Sequence, residues 1–204
     1  MRDAPSLAAA PLRDPAALLL RTLAEWAGED GDLWVFGYAS LIWRPEFESQ
    51  EHHPASVHGW HRALRMRSRV NRGTPERPGL VFALVPGGSC RGVVYRIERE
   101  RAAEELQRLW QREMPTGVYD PKWLPCRTAH GPVNALAFTL SRRSPSYVPR
   151  LTDEETVQIL RAASGRYGTT LQYLVETAHC LRERGVRDRE IERLVRLARE
   201  HQLI

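Results

Sequence analysis

Cysteine is scarce in this chain of 204 residues, and its spacing excludes two common roles. The three cysteines, Cys90, Cys126 and Cys180, lie far apart and form no Cys-x-x-Cys pair. An odd number of cysteines without such pairs argues against a disulfide framework and against a structural zinc site. We therefore expect free thiols and no bound metal.

Long apolar runs are also missing. No stretch approaches the ~20 apolar residues that a membrane-spanning helix needs. The apolar patch at residues 7–12 is short and is interrupted by Pro11, so it does not resemble a signal-peptide core. With 42% hydrophobic and 27% charged residues, the composition is that of an ordinary globular domain. We expect a cytoplasmic protein without membrane contact.

Lysine is almost absent, and arginine therefore supplies nearly all the positive charge of this chain, whose net charge is +5. The densest basic run contains Arg62, Arg65, Arg67, Arg69 and Arg72. Part of this run alternates, so those arginines would share one face of a strand. Such a face suits solvent, an anionic small molecule or a phosphate backbone. Exposed aromatics that would bind single strands are not interleaved with it, and we expect no nucleic-acid partner.

Motifs of several enzyme classes are missing too. The Gly-x-Ser-x-Gly elbow of serine hydrolases is absent, and so are a phosphate-binding loop and a dinucleotide fingerprint. His58 and His61 have a spacing that suits a metal on a helix. They fall in a predicted strand, where their side chains would diverge, so we expect no metal there.

The hydrophobic pattern predicts strands in the middle of the chain and helices mainly at its end. Helices are predicted at residues 15–27, 98–113, 152–163, 169–184 and 187–198. Strands are predicted from Leu33 onward and at residues 55–69, 80–85, 90–97, 123–127 and 132–140. Pro86-Gly-Gly88 predicts a tight hairpin turn between two of these strands. The fold class is therefore α+β, with a small, mixed, mainly antiparallel barrel or sheet, flanking helices and a helical C-terminus.

The first predicted strand runs into an unusual loop. Trp34, Val35 and Phe36 are bulky and favour a buried strand. Small residues then follow beside one phenol, in the order Gly37, Tyr38, Ala39 and Ser40. This pattern is typical of a core strand that ends in a turn, and equally of a loop that brings backbone N–H groups close to a ligand.

Glu113 is the acid with the most informative position. It ends a predicted helix, after Trp110 and before Pro115, where the negative end of the helix dipole penalises its charge. If apolar neighbours also bury it, its pKa rises toward the range useful to a general base. A solvated glutamate at a helix end is the alternative.

Ordered motifs resemble those of the ChaC-type γ-glutamylcyclotransferases. Residues 34–43, Trp-Val-Phe-Gly-Tyr-Ala-Ser-Leu-Ile-Trp, resemble the family's Tyr-Gly-Ser-Leu loop, and Arg112-Glu113 resembles its catalytic acid motif. The other motifs, in family order, are Arg72-Gly-Thr-Pro, Pro78-Gly79, Gly92-Val-Val-Tyr-Arg96, Ser144-Pro-Ser-Tyr147, Ser164-Gly-Arg-Tyr-Gly168 and Tyr173-Leu174. The resemblance covers about residues 33–197, and the ordered set is specific.

The resemblance implies a γ-glutamylcyclotransferase-like fold that cleaves glutathione to 5-oxoproline and cysteinylglycine without a cofactor. It implies that Glu113 is the catalytic acid and base. Tyr147 would hydrogen-bond the substrate or Glu113, and Arg72 would meet the glycine-end carboxylate of glutathione. A packing tyrosine and a surface arginine are the alternatives. The γ-glutamyl part would bind the loop of Gly37, Tyr38, Ala39, Ser40, Leu41 and Ile42.

One position departs from the family pattern, because this chain has Ala39 where the family usually has glycine. If the position needs a positive φ, alanine strains the loop, and if glycine serves close ligand approach, the methyl reshapes the pocket. The alternatives are thus cyclotransfer on other γ-glutamyl amino acids or amines, or a non-catalytic γ-glutamyl-binding module. Residues 1–32 lie outside the resemblance, and we expect a helical arm there and one domain at residues 33–204.

Overall fold

The computed structural model of this protein describes residues 13–27 and 31–204. Its centre is a closed barrel of five strands in the order β1-β3-β2-β4-β5. The strands are β1 (Leu33–Gly37), β2 (Glu51–Ser68), β3 (Gly79–Ile97), β4 (Asp120–Thr128) and β5 (Gly131–Thr139). The pairs are antiparallel except that β5 runs parallel to β1 and to β3. The predicted mixed, mainly antiparallel barrel is confirmed.

Six helices accompany the barrel in the described part of the chain. They are α1 (Pro15–Ala27), α2 (Ser40–Trp43), α3 (Arg99–Glu113), α4 (Asp153–Ala162), α5 (Thr170–Glu183) and α6 (Arg189–Glu200). A small ribbon of β6 (Ser164–Gly165) and β7 (Gly168–Thr169) joins α4 to α5. The five helices predicted from the sequence are confirmed, with ends shifted by at most two residues. The short helix α2 was not predicted.

The predicted hairpin at Pro86-Gly-Gly88 is wrong, because β3 continues through it. Both halves of β3 pair with β2 instead of with each other, Leu80 opposite Arg67 and Val94 opposite His53. The pairing register shifts where Gly87 and Gly88 face Gly59, and all three glycines have positive φ. Glycine adopts that conformation without strain, so the turn-like sequence produces a bulge that bends two long strands around the barrel.

Helix α3 carries Glu113 to the edge of the barrel. Leu106, Leu109 and Trp110 on one face of α3 are buried. The Trp110 ring meets the Phe138 ring of β5 edge to face, with centroids 5.7 Å apart. This aromatic contact fixes the last turn of the helix against the barrel wall.

Three further expectations concern the whole molecule. The three cysteines are buried free thiols, as predicted. Within residues 13–27 and 31–204, no helix is long and apolar enough to cross a membrane, and no three His, Cys, Asp or Glu residues are grouped to hold a metal ion. The apolar patch at residues 7–12 lies outside the described residues.

Candidate active site

Glu113 is the last residue of α3, and its side chain is only 14% exposed. The helix ends there because Pro115 cannot continue it. The Met114 N–H still bonds the Trp110 carbonyl oxygen at 2.8 Å, which closes the final turn. Burial raises the pKa of the Glu113 carboxyl above its usual range, in the direction that the sequence predicted.

Two charged neighbours adjust the proton affinity of Glu113. Arg112 Nε lies 3.0 Å from Glu113 Oε1 and lowers the pKa of the carboxyl. Glu46 raises that pKa, and it also pairs with Arg112, whose Nη1 lies 3.4 Å from Glu46 Oε2. Burial outweighs the guanidinium, so the pKa stays raised. A carboxylate with a raised pKa is a stronger base, and a larger share of it is protonated and able to act as an acid at a given pH.

Three buried tyrosines lie in the electrostatic field of Glu113. They are Tyr38, Tyr119 and Tyr173, and burial together with the charge of Glu113 raises the pKa of each phenol. The Tyr38 hydroxyl donates to the Phe138 carbonyl oxygen at 2.8 Å, and the Tyr173 hydroxyl accepts from the Phe82 N–H at 3.2 Å. The barrel main chain thus fixes two neutral phenols beside the carboxylate.

The predicted γ-glutamyl loop, residues 37–42, runs from the last residue of β1 into α2, and hydrogen bonds fix it at two points. The Arg62 Nε–H donates to the Tyr38 carbonyl oxygen, and the Tyr95 hydroxyl donates to the Leu41 carbonyl oxygen at 3.0 Å. A Cβ at Gly37 would lie 3.1 Å from Leu41 Cβ and from the Tyr95 ring. Glycine therefore lets the loop fold back closely on itself.

The loop offers backbone donors at the start of α2. The first N–H groups of a helix have no acceptor inside it, and here they belong to Ser40 and Leu41. Ala39 precedes them with φ −145°, outside the left-handed region that favours glycine. A positive φ, the first reason given above for a glycine at this position, therefore does not apply to Ala39. The second reason, close approach of a ligand, remains, and there the Ala39 methyl would reshape the pocket.

Arg72 is positioned by glycines from three separate motifs. A Cβ at Gly79 would lie 2.1 Å from the Arg72 carbonyl oxygen, and one at Gly73 would lie 2.0 Å from the Gly79 nitrogen. A Cβ at Gly165 would lie 2.5 Å from the Gly73 nitrogen. These backbones touch because none of the three residues carries a side chain. The motifs Arg72-Gly, Pro78-Gly79 and Ser164-Gly165 thus converge on one place.

Arg62 and Arg72 are both buried, but only Arg62 is fully paired. Arg62 donates to the Tyr38 and Arg91 carbonyl oxygens and lies 2.6 Å from Asp188 Oδ2. Among the described residues, the Arg72 guanidinium makes one hydrogen bond, 3.4 Å to the Thr169 carbonyl oxygen, and lies 3.7 Å from Glu176 Oε2. Its guanidinium covers the Tyr173 ring at 5.2 Å. Donors of Arg72 are therefore available for an anion beside the tyrosines.

The rest of the arginine run behaves differently. Arg65 is half-buried at the surface, while Arg67 and Arg69 are exposed. The run is consequently not a single basic face: two members point inward, and the others meet solvent.

Tyr147 lies in the loop between β5 and α4 and is half-buried. It forms an isolated β-bridge with Met66 and packs on a small apolar cluster. The cluster contains Ala63, Ala83, Val85 and Leu140. These contacts explain why the Tyr147 ring is packed in place. A hydrogen bond from its hydroxyl to the substrate or to Glu113 stays a prediction.

Sequence reasoning missed two of the tyrosines and the acid Glu46. Tyr173 stood in a recognised motif without a role, and Tyr119 follows a Pro-Gly-containing turn that carried no chemical signal. Glu46 lies in a polar loop with φ 57°, an uncommon conformation for a residue other than glycine. Only the fold brings these residues to Glu113.

Comparison with known proteins supports a single family. Residues 33–201 match the model of the ChaC-like protein family. The chain is 40% identical over 174 residues to a glutathione-specific γ-glutamylcyclotransferase of Escherichia coli, covering 85% of this chain and 75% of that protein. It is 32% identical over 201 residues to glutathione-specific γ-glutamylcyclotransferase 1 of Rattus norvegicus, covering 94% of this chain and 86% of that one.

The fold agrees with these matches. The crystal structure of a γ-glutamyl cyclotransferase specific to glutathione from yeast superposes with a TM-score of 0.76 at 21% identity, covering 84% of this chain and 97% of that one. At this identity the likeness concerns the fold alone. The family match and the two curated relatives carry the assignment, and this chain belongs to the ChaC-like protein family.

Proposed function

We propose that this protein cleaves glutathione to 5-oxoproline and cysteinylglycine, with Glu113 as general base and then general acid. The observation that carries the proposal is the largely buried Glu113 carboxyl at the end of α3, paired with Arg112, with a raised pKa and with the phenols of Tyr38 and Tyr173 in its electrostatic field. Relatives at 40% and 32% identity that are named for this activity support it.

The reaction needs positioning more than activation. The γ-glutamyl α-amine attacks the γ-carbonyl of the same molecule and closes a five-membered ring. Because nucleophile and electrophile are already joined, holding them in a folded conformer contributes up to about 7–11 kcal/mol in favourable intramolecular cases. A rigid loop at residues 37–42 and fixed phenols suit that task.

Proton transfer is the work of Glu113. The amine arrives as an ammonium ion, and the Glu113 carboxylate removes one proton so that the nitrogen lone pair can attack. A new C–N bond forms, and the carbonyl oxygen becomes an oxyanion. The oxyanion then collapses, the original amide C–N bond breaks, and protonated Glu113 delivers its proton to the departing nitrogen. The regenerated Glu113 carboxylate takes the second proton from the ring nitrogen, which becomes the amide N–H of 5-oxoproline, and passes that proton to the released amine, which becomes an ammonium ion. No water or cofactor is consumed.

Two anionic groups need donors along this path: the α-carboxylate of the γ-glutamyl part and the developing oxyanion. The N–H groups of Ser40 and Leu41 at the start of α2 are suited to one of them. The remaining members of the proposed loop, Gly37, Tyr38, Ala39 and Ile42, shape the surrounding wall.

Arg72 binds the glycine-end carboxylate in this proposal. Within residues 13–27 and 31–204, the buried guanidinium makes one long hydrogen bond and one distant ion pair, to Glu176, so an incoming carboxylate would satisfy its remaining donors. Tyr147 hydrogen-bonds the substrate or Glu113 through its hydroxyl. A cytoplasmic location, expected from the sequence, is part of the same proposal.

The test incubates the purified chain separately with glutathione, a γ-glutamyl dipeptide and a γ-glutamyl amine, and measures 5-oxoproline. We expect release from glutathione, with one cysteinylglycine for each 5-oxoproline. Release only from the other two compounds would instead support cyclotransfer on a different γ-glutamyl substrate. No product from any of them would support a binding module and would overturn the proposal.

A further inference from the structure

The chain at the start of α1 contacts the last turn of α3, which ends at Glu113. The Trp110 Nε1–H, one helical turn ahead of Glu113, donates to the Pro15 carbonyl oxygen at 2.7 Å. Trp110 is buried and also packs on the barrel through Phe138. The bond therefore ties the start of α1 to the last turn of α3.

The same segment contacts the chain immediately after Glu113. The Arg13 guanidinium donates to the Tyr119 carbonyl oxygen at 3.0 Å and pairs with Asp120. Gly117, with φ 61°, admits the Arg13 carbonyl oxygen, which would lie 2.5 Å from a Cβ at that position. Residues 13–15 consequently hold both sides of Glu113.

The loop that Arg13 holds leads from one part of the candidate site to another. It begins at Glu113 and ends at Tyr119, whose buried phenol lies in the field of Glu113 and of Tyr38. A shift of this loop would move the phenol relative to the carboxylate and admit water to both. The family match begins at residue 33, so this support comes from outside it.

We propose that Arg13 is a positioning residue for the reaction, acting by fixing the loop between Glu113 and Tyr119. The proposal rests on the proposed function, because it concerns the same carboxylate. Arg13 and Asp120 are 42% and 25% exposed, and exposed ion pairs contribute little to global stability. Loss of the Arg13 side chain should therefore loosen the loop without unfolding the barrel.

The experiment uses three variants of the full chain: Arg13→Gln, Arg13→Lys and Arg21→Gln. Arg21 is the matched control, since it lies on α1, is 76% exposed and pairs with Glu25 of its own helix. The readouts are kcat and KM for 5-oxoproline formation from glutathione, the pH profile of kcat/KM, and the urea unfolding midpoint.

We expect Arg13→Gln to lower kcat about tenfold with KM changed less than about twofold, since a misplacement near 1 Å costs up to about 10²-fold. The acidic limb of kcat/KM should move to lower pH, because a loosened loop hydrates Glu113. The other groups that influence Glu113, namely Arg112, Glu46 and the remaining tyrosines, are unchanged in this variant. Arg13→Lys should recover part of the loss, and Arg21→Gln should match the wild type.

Wild-type kcat and an unmoved acidic limb in Arg13→Gln would overturn the positioning role. A lower kcat together with a lower urea unfolding midpoint and an unchanged acidic limb of kcat/KM would also overturn it, because that combination indicates a merely structural effect. Wild-type enzyme that converts no γ-glutamyl compound would overturn the proposed function itself. The two failures are therefore distinguishable.

Discussion

Arg112 Nε lies 3.0 Å from the Oε1 of its chain neighbour Glu113. Both residues lie in the last turn of α3, and the Arg112 side chain also reaches Glu46. Burial and the guanidinium act in opposite directions on the pKa of the carboxyl. The proposed base is consequently tuned by its own neighbour, which can be removed without touching the base itself.

Replacing Arg112 should raise the pKa of Glu113 further. In Arg112→Gln the lowering influence disappears while burial and Glu46 remain, so ionised Glu113 forms only at higher pH. The acidic limb of the kcat/KM profile for glutathione should therefore move to higher pH. Arg108→Gln is the control, since Arg108 pairs with Glu104 and Glu105 on the same helix. A limb that stays in place or moves to lower pH would contradict this assignment.

Replacing Arg72 should weaken the binding of substrates that carry a second carboxylate. A hydrogen bond to a charged group contributes about 1.5–3 kcal/mol, so Arg72→Gln should raise KM for glutathione about 10- to 100-fold. A γ-glutamyl amine without that carboxylate should show no such change. The control is Arg69→Gln, an exposed member of the same arginine run. Equal losses on both substrates would place Arg72 away from the glycine end.

Ala39 should control substrate preference through its methyl group. Its φ of −145° lies outside the left-handed region that favours glycine, so we expect Ala39→Gly to act by widening the loop. The free energy of unfolding should fall by about 0.5–1 kcal/mol, because glycine loses more conformational freedom on folding. The ratio of kcat/KM between glutathione and a γ-glutamyl dipeptide should change. An unchanged ratio would show that the methyl does not contact the substrate.

Glu113 should make the fold less stable at neutral pH. The pKa of Glu113 is higher in the folded state than in the unfolded chain. The contribution of Glu113 to the free energy of unfolding is therefore most favourable below the unfolded-state pKa, and it is lost as the pH rises through the folded-state pKa. Glu113→Gln is neutral and escapes this loss. Urea unfolding should therefore show the variant more stable at pH 7, with the advantage shrinking toward about pH 4. An advantage independent of pH would contradict the burial of an ionisable group.

The sequence predicted the parts of the site that depend on local patterns. Trp110 and Pro115 place Glu113 at a helix end, and a raised pKa follows only if its neighbours also bury it, which the structure shows. The capping box of α4, in which the side chains of Thr152 and Glu155 each accept from the other residue's backbone N–H, is a further pattern of this kind. Local rules of this kind need only neighbouring residues.

The features that were wrongly predicted or missed depend on contacts between residues that are far apart in the sequence. Pro86-Gly-Gly88 has the composition of a turn, and only the pairing of both halves of β3 with β2 converts it to a bulge. Tyr119 and Tyr173 approach Glu113 because the barrel closes, and no local pattern records that closure. The same holds for the glycines that pack around Arg72.

The most direct measurement of the central claim is 5-oxoproline release from glutathione by the wild type, by Glu113→Gln and by Glu100→Gln. Glu100 is an exposed glutamate in the first turn of the same helix and serves as the matched control. General acid and base catalysis contributes about 10²–10⁴-fold, so Glu113→Gln should lose at least about 10²-fold in kcat while remaining folded. Glu100→Gln should match the wild type. Undiminished release by folded Glu113→Gln would contradict the account.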